Sequence, residues 1–164
     1  MPTQLNYIRL SHCPEKQLTK PGHPSDAGWD IYLAEDHLVL PYSQIPFDQE
    51  KHQYQFNLAK TGVILASEIE SYWYAIYARS SLIKRGVGLA NSVGVIDPTY
   101  SGELLLTLYS YHQPILLKAG TAVAQLVVHQ NIPVELQEIE KDLRETVRGG
   151  FGSTDKPKSN FTSH

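Results

Sequence analysis

Cysteine is nearly missing from this 164-residue chain, where Cys13 stands alone. That excludes an intrachain disulfide framework and a cysteine-cluster zinc site, and it suits a reducing compartment. Long apolar runs are missing too. The longest, such as Leu104-Leu105-Leu106, fall far below the roughly 20 residues of a membrane-spanning helix. Positive charge is not in surplus: 14 basic against 17 acidic side chains leave a net charge of −3. This argues against non-specific binding of nucleic acid, although a small anionic ligand needs only a few local cations. The opening residues, MPTQLNYIRLSH, lack the basic and then apolar pattern of a secretory signal. The expectation is a chain that binds neither membrane nor nucleic acid and works in the cytoplasm, or inside a host cell if it is viral.

Several catalytic motifs are absent as well. There is no G-x-x-x-x-G-K-[ST] phosphate loop, no G-x-G-x-x-G after a strand, no H-E-x-x-H and no G-x-S-x-G. The seven histidines are scattered without metal-ligand spacing, so structural or surface roles are expected of them.

What is present is an ordinary globular balance, with 41% apolar and 19% charged residues in a length that suits one domain. Ten prolines and eleven glycines are spread along the chain. They cut it into short segments rich in Val, Ile, Leu and Tyr, the pattern of strands separated by turns. Strands are expected over Tyr72 to Tyr77, Gly102 to Tyr109 and Val123 to Val128, and more weakly over Asp30 to Leu33, His37 to Leu40 and Lys60 to Ala66. One short helix is expected over Ser80 to Arg85, with a serine cap and Gly86 as its stop. Gln44 to Gln55 reads as a polar loop or hairpin insertion, and Val134 to Val147 is ambiguous between strand and helix. The fold expected is all-β, a sandwich, barrel or jelly roll.

Three stretches have chemistry to offer. Ala78-Arg79-Ser80-Ser81-Leu82 places a guanidinium and two hydroxyls at a helix start, a sensible phosphate cradle, though R-S-S is also an ordinary capped turn. Arg148-Gly149-Gly150-Phe151-Gly152-Ser153-Thr154 suits a flap closing over an anionic aromatic ligand, or a glycine-rich linker. Between them, Gly94 to Glu103 reads as a tight hairpin in which Asp97 either caps the turn or holds and deprotonates a water.

Taken in order, these stretches resemble the five motifs of the trimeric dUTPase family. Asp26-Ala27-Gly28-Trp29-Asp30-Ile31-Tyr32-Leu33-Ala34 is similar to the first motif and Ala78 to Leu82 to the second. Asn91 to Glu103 is similar to the third, Gly120 to Leu126 to the fourth and Arg148 to Thr154 to the fifth. The resemblance implies a distorted jelly-roll-like β-barrel or sandwich subunit, assembled as a homotrimer with a C-terminal arm. Its divisions would be a β domain over 1–140 and the arm over 141–164, with a mobile tail after 154.

The implied reaction is hydrolysis of dUTP to dUMP and pyrophosphate, with Mg²⁺ held mainly by the substrate's phosphates rather than by protein ligands. Asp97 would orient and deprotonate the attacking water, and Asp30 would order the metal-bound water. Tyr100 would pack under the deoxyribose, while Asn91 and the backbone around Gly94 would read the uracil edge. Arg79, Ser80, Ser81 and Gln125 would hold phosphates. Phe151, beside Gly152, would stack on uracil while Arg148, Ser153 and Thr154 close on the outer phosphates.

The chain departs from the family pattern in places. Arg148 and Phe151 are three positions apart where the family has five, which makes Arg144 the fallback for the outer-phosphate role of Arg148. Ala122-Val123 stands in place of Arg-Ile, and Pro98-Thr99 in place of a more polar pair. Two rival readings remain. One is a dCTP deaminase of the same fold, whose proton-shuttling glutamate would fall at Thr107, a residue that cannot do that work. The other is a dUTP-binding regulator acting on a protein partner, through the Gln44 to Gln55 insertion.

Overall fold

The computed structural model describes residues 4–19, 23, 25–66 and 71–138. The strands are β1 (Tyr7–Arg9), β2 (Gly28–Tyr32), β3 (His37–Val39), β4 (Phe47–Asp48), β5 (Gln53–Tyr54) and β6 (Leu58–Leu65), followed by β7 (Tyr72–Ala78), β8 (Val87–Leu89), β9 (Val93–Ile96), β10 (Glu103–Ser110), β11 (Ile115–Leu117) and β12 (Ala122–Gln130). The single α-helix among the described residues is α1 (Ser80–Lys84). Two four-stranded sheets, in the orders β1-β6-β10-β8 and β2-β12-β7-β9, carry most of the fold. Pairs β11-β3 and β4-β5 complete it. The fold is all-β, built from open sheets rather than a closed barrel.

The reason is visible in β10. Leu104, Leu106 and Leu108 are buried and alternate with more exposed neighbours, the period of two that lets one strand face fill a core. Val63 and Leu65 from β6 join this layer, and Ile31, Tyr74, Ile76, Val123 and Leu126 supply the opposite sheet, all in one core cluster. Each buried aliphatic side chain of this kind contributes about 1.5–3 kcal/mol.

The chain divides into two units, Met1–Ile132 and Pro133–His164. Every described strand lies in the first. Residues 134–138, the described part of the ambiguous stretch, form neither strand nor helix. The Gln44 to Gln55 stretch contains the β4-β5 hairpin, stapled by Phe47 against Tyr54 with centroids 5.0 Å apart. No helix among the described residues is long and apolar enough to cross a membrane.

Two local expectations are corrected. The turn Asp97 to Gly102 is no hairpin, because β9 pairs with β7 while β10 pairs with β6 and β8. It carries the chain from one sheet to the other. Helix α1 has Arg79, not a serine, at its N-cap, in an extended conformation (φ −68°, ψ 142°) with no side-chain capping bond. Its expected stop holds: Gly86 has φ +71°, a backbone that ends a helix without steric cost.

Candidate active site

Asp30, Arg79 and Gln125 are brought together by the β2-β12-β7 register. Gln125 lies opposite Asp30 in one direction and Tyr77 in the other. An irregularity at Val123 separates the Ala122 and Ala124 pairings, and the Val123 carbonyl accepts the Arg79 backbone N–H at 3.2 Å. Arg79 Nε is then 3.3 Å from Asp30 Oδ1, and Gln125 Nε2 donates to the same oxygen at 3.3 Å. Both members of the ion pair are partly exposed, at 34% and 23%, so the pair adds only about 0–1 kcal/mol to stability. Its consequence is geometric, since it holds a guanidinium and an amide together on one carboxylate oxygen. Ser80 and Ser81 follow directly in α1, exposed, with hydroxyls that bond to no other described residue.

Asn91 and Gly94 line a narrow cleft together with Ile76, Ile96 and Thr107. Gly94 faces Ile76 across the β7-β9 register. A Cβ at Gly94 would lie 3.3 Å from Ile76 Cβ and 3.4 Å from Asn91 Nδ2, so a side chain there would fill the cleft. A larger cleft of about 180 Å³, lined by Leu5, Tyr7, Leu18, Trp29, Tyr74 and Leu126 among others, holds none of the candidate residues. Its mostly apolar wall lacks the cations that a polyphosphate requires.

Asp97 and Tyr100 share one turn, closed by the Tyr100 N–H donating to the Asp97 carbonyl at 3.1 Å. The Asp97 side chain caps nothing. It is exposed and makes no hydrogen bond or ion pair with another described residue. The backbone bond closes the turn, and the carboxylate is left uncommitted. Tyr100, 41% exposed, donates its hydroxyl to the Glu103 carbonyl at 3.0 Å.

No hydrogen bond or ion pair joins these three groups to one another among the described residues. Arg148, Phe151, Gly152, Ser153 and Thr154, and the fallback Arg144, lie outside the described residues.

Sequence reasoning missed the polar side chains behind the site. Gln17, only 2% exposed, donates Nε2 to the carbonyls of Tyr32 (2.9 Å) and Thr61 (2.6 Å) and accepts the Tyr32 N–H at 2.7 Å. It ties the strand of Asp30 to β6. Glu103 accepts from β6 and from His12. Gln17 lies outside the motif stretches, and Glu103, the last residue of the third, was given no role there because its partners at Thr61, Gly62 and His12 are distant in the chain.

A family model described as dUTPase matches residues 14–155. The chain belongs to the dUTPase family. It is 35% identical over 163 residues to a deoxyuridine 5'-triphosphate nucleotidohydrolase of Mycobacterium marinum, covering 94% of this chain and 96% of that one. A protein of the same name from Corynebacterium jeikeium is 32% identical over 157 residues, with 92% of each chain covered. Among solved structures, the dUTPase of Staphylococcus bacteriophage 80alpha with dUpNHpp superposes with a TM-score of 0.69. It shares 22% identity and covers 93% of this chain and 98% of that one, a likeness that shows the shared fold.

Proposed function

We propose that this chain hydrolyses dUTP to dUMP and pyrophosphate, limiting uracil incorporation into DNA and supplying dUMP. The observation that carries the reading is Asp97, a carboxylate with no structural task on the turn that also bears Tyr100, in a chain of the dUTPase family. A free carboxylate at that place can accept a proton from a water attacking the α-phosphorus, while the bond to the α–β bridging oxygen breaks and that oxygen leaves with pyrophosphate. Asn91 and the backbone at Gly94 read the uracil edge, and Tyr100 lies against the sugar face where a 2′-hydroxyl would clash. Arg79, Gln125, Ser80 and Ser81 bind phosphate oxygens, where charge-assisted donors count most. Arg148, Phe151, Gly152, Ser153 and Thr154 close over the nucleotide from an arm over 141–164 that follows a β domain over 1–140.

The donor set fits Mg²⁺ held by the substrate. Both side-chain partners of Asp30 reach Oδ1, so Oδ2 would be the oxygen to orient a water of the ion, since Mg²⁺ usually keeps several waters beside phosphate ligands. When bound, the ion neutralises charge on the phosphate oxygens.

The assembly that goes with this family is a homotrimer with sites built at subunit interfaces. Its place of work would be the cytoplasm, or the interior of a host cell if the chain is viral. Pyrophosphate release tests the reading. dUTP should be hydrolysed far faster than UTP, dCTP or dTTP, by particles of about three times the 18.4 kDa chain mass. Equal rates on UTP and dUTP, or a fully active monomer, would contradict it.

A further inference from the structure

We propose that Glu103 is a positioning residue for Tyr100, fixing the sugar-excluding ring through a bulge in β6; this rests on the role given to Tyr100 above. The β6-β10 ladder jumps from Glu103↔Ile64 to Leu105↔Lys60, so Leu104 alone faces Thr61, Gly62 and Val63. The backbone N–H groups of Thr61 and Gly62 therefore have no ladder acceptor on β10, and the Leu104 carbonyl is taken by Thr61 Oγ1 at 2.7 Å. Buried backbone donors without partners are costly. The Glu103 carboxylate answers them: Oε1 accepts the Gly62 N–H at 2.7 Å, the Thr61 N–H at 3.2 Å and His12 Nε2 at 2.9 Å.

The bulge itself requires glycine. Gly62 has φ +75°, and a Cβ there would collide with the Cys13 backbone. Burial alone would raise the Glu103 pKa, but the bonds from His12, Gly62 and Thr61 outweigh it and hold the carboxyl below its ordinary value. The carboxylate is therefore ionised and anchored.

The anchoring has a consequence for the site. Fixing Glu103 from β6 fixes its carbonyl, which receives the Tyr100 hydroxyl at 3.0 Å. The ring then lies over Gly102, where a Cβ would come within 2.6 Å of Tyr100 Oη. Tyr100 is placed by β6 and Glu103 rather than by its own turn, which one backbone bond closes. Its hydroxyl is spent on this anchor, leaving the ring to meet the sugar.

The ratio of kcat/KM for dUTP to that for UTP tests this, because a merely structural bulge plug would not move it. Glu103→Ala should narrow the ratio about tenfold or more, a misplacement of about 1 Å being enough for losses of that size. Glu103→Gln keeps an acceptor oxygen and should stay near the wild-type ratio. Tyr100→Phe should narrow it too, and the Glu103→Ala, Tyr100→Phe double variant should be no worse than the more affected single one. If Glu103→Ala does not fold, Gly102→Ala leaves the Glu103 bonds to β6 in place while pushing on the Tyr100 hydroxyl, and it should narrow the ratio in the same way. A folded Glu103→Ala protein, or Gly102→Ala, with the wild-type ratio would overturn the proposal. Wild-type enzyme that treats dUTP and UTP alike would instead overturn the role of Tyr100 itself.

Discussion

Arg79 and Asp30 meet across an intervening strand: Arg79 Nε lies 3.3 Å from Asp30 Oδ1 although β12 separates β7 from β2. The pair reaches over Gln125, which donates to the same oxygen. Three residues from three chain segments thus make one polar surface, and its shape depends on the register of β12.

Removing the cation should be felt by the substrate rather than by the fold. Arg79→Ala should lower kcat/KM for dUTP by about 10²–10³-fold, the range for losing one charge-stabilising donor. Its unfolding free energy should change by no more than about 1 kcal/mol, as for other partly exposed pairs. Arg79→Lys should not restore full activity, because an ammonium lacks the planar fork that holds both oxygens of a phosphate. Steady-state kinetics with a urea melt on each variant separates the two effects.

Acid should destabilise the protein in two steps with different owners. His37 is 3% exposed, and burial lowers its pKa below the usual 6.5, against a smaller opposite pull from Glu35. Between that lowered value and about 6.5 the unfolded chain takes up a proton that the native state refuses, so stability falls as pH falls. Glu103, held below 4.5 by its bonds to His12, Gly62 and Thr61 despite burial, adds a second loss as pH drops through its native value. Melting temperatures from pH 7.5 to 3.5 should show both losses. A His37→Gln variant should flatten the upper one and leave the lower one in place; an unchanged upper slope would remove His37 as its cause.

How far the residues alone disclosed this arrangement varied with the range of the interaction. Strands β7, β10 and β12 were legible because their apolar density and alternation are local properties. The three-residue strands β1 and β8 were not, since so short a run carries no period. Asp97-Pro98-Thr99-Tyr100-Ser101-Gly102 has the same turn chemistry whether its flanking strands pair with each other or diverge, so the crossing between sheets stayed hidden. The grouping of Asp30, Arg79 and Gln125 followed from family motifs, whereas their contacts follow from register. Glu103 was invisible as an anchor because its partners are 41 and 42 residues away, at Gly62 and Thr61.

The arm is where the chain departs most from the family pattern. Ending the chain at Thr146 should leave assembly and thermal stability nearly intact. It should still cut kcat/KM for dUTP by at least ~10²-fold, because a stacking aromatic, worth ~1–3 kcal/mol per base, and a phosphate cation go together. Comparing Arg144→Ala with Arg148→Ala then identifies that cation: with Arg148 only three positions before Phe151, Arg144→Ala should be the more damaging. Full-rate hydrolysis by the truncated chain would reduce the glycine-rich segment to a linker.

If the free carboxylate of Asp97 takes the proton of the attacking water, pyrophosphate release from dUTP by Asp97→Asn shows it, with nucleotide affinity determined on the same protein. Asparagine keeps the size and most of the hydrogen bonding but cannot accept the proton. Turnover should fall by ~10²-fold or more while affinity changes far less. Near-normal turnover in the folded variant would mean that Asp97 is not the base but an ordinary turn residue.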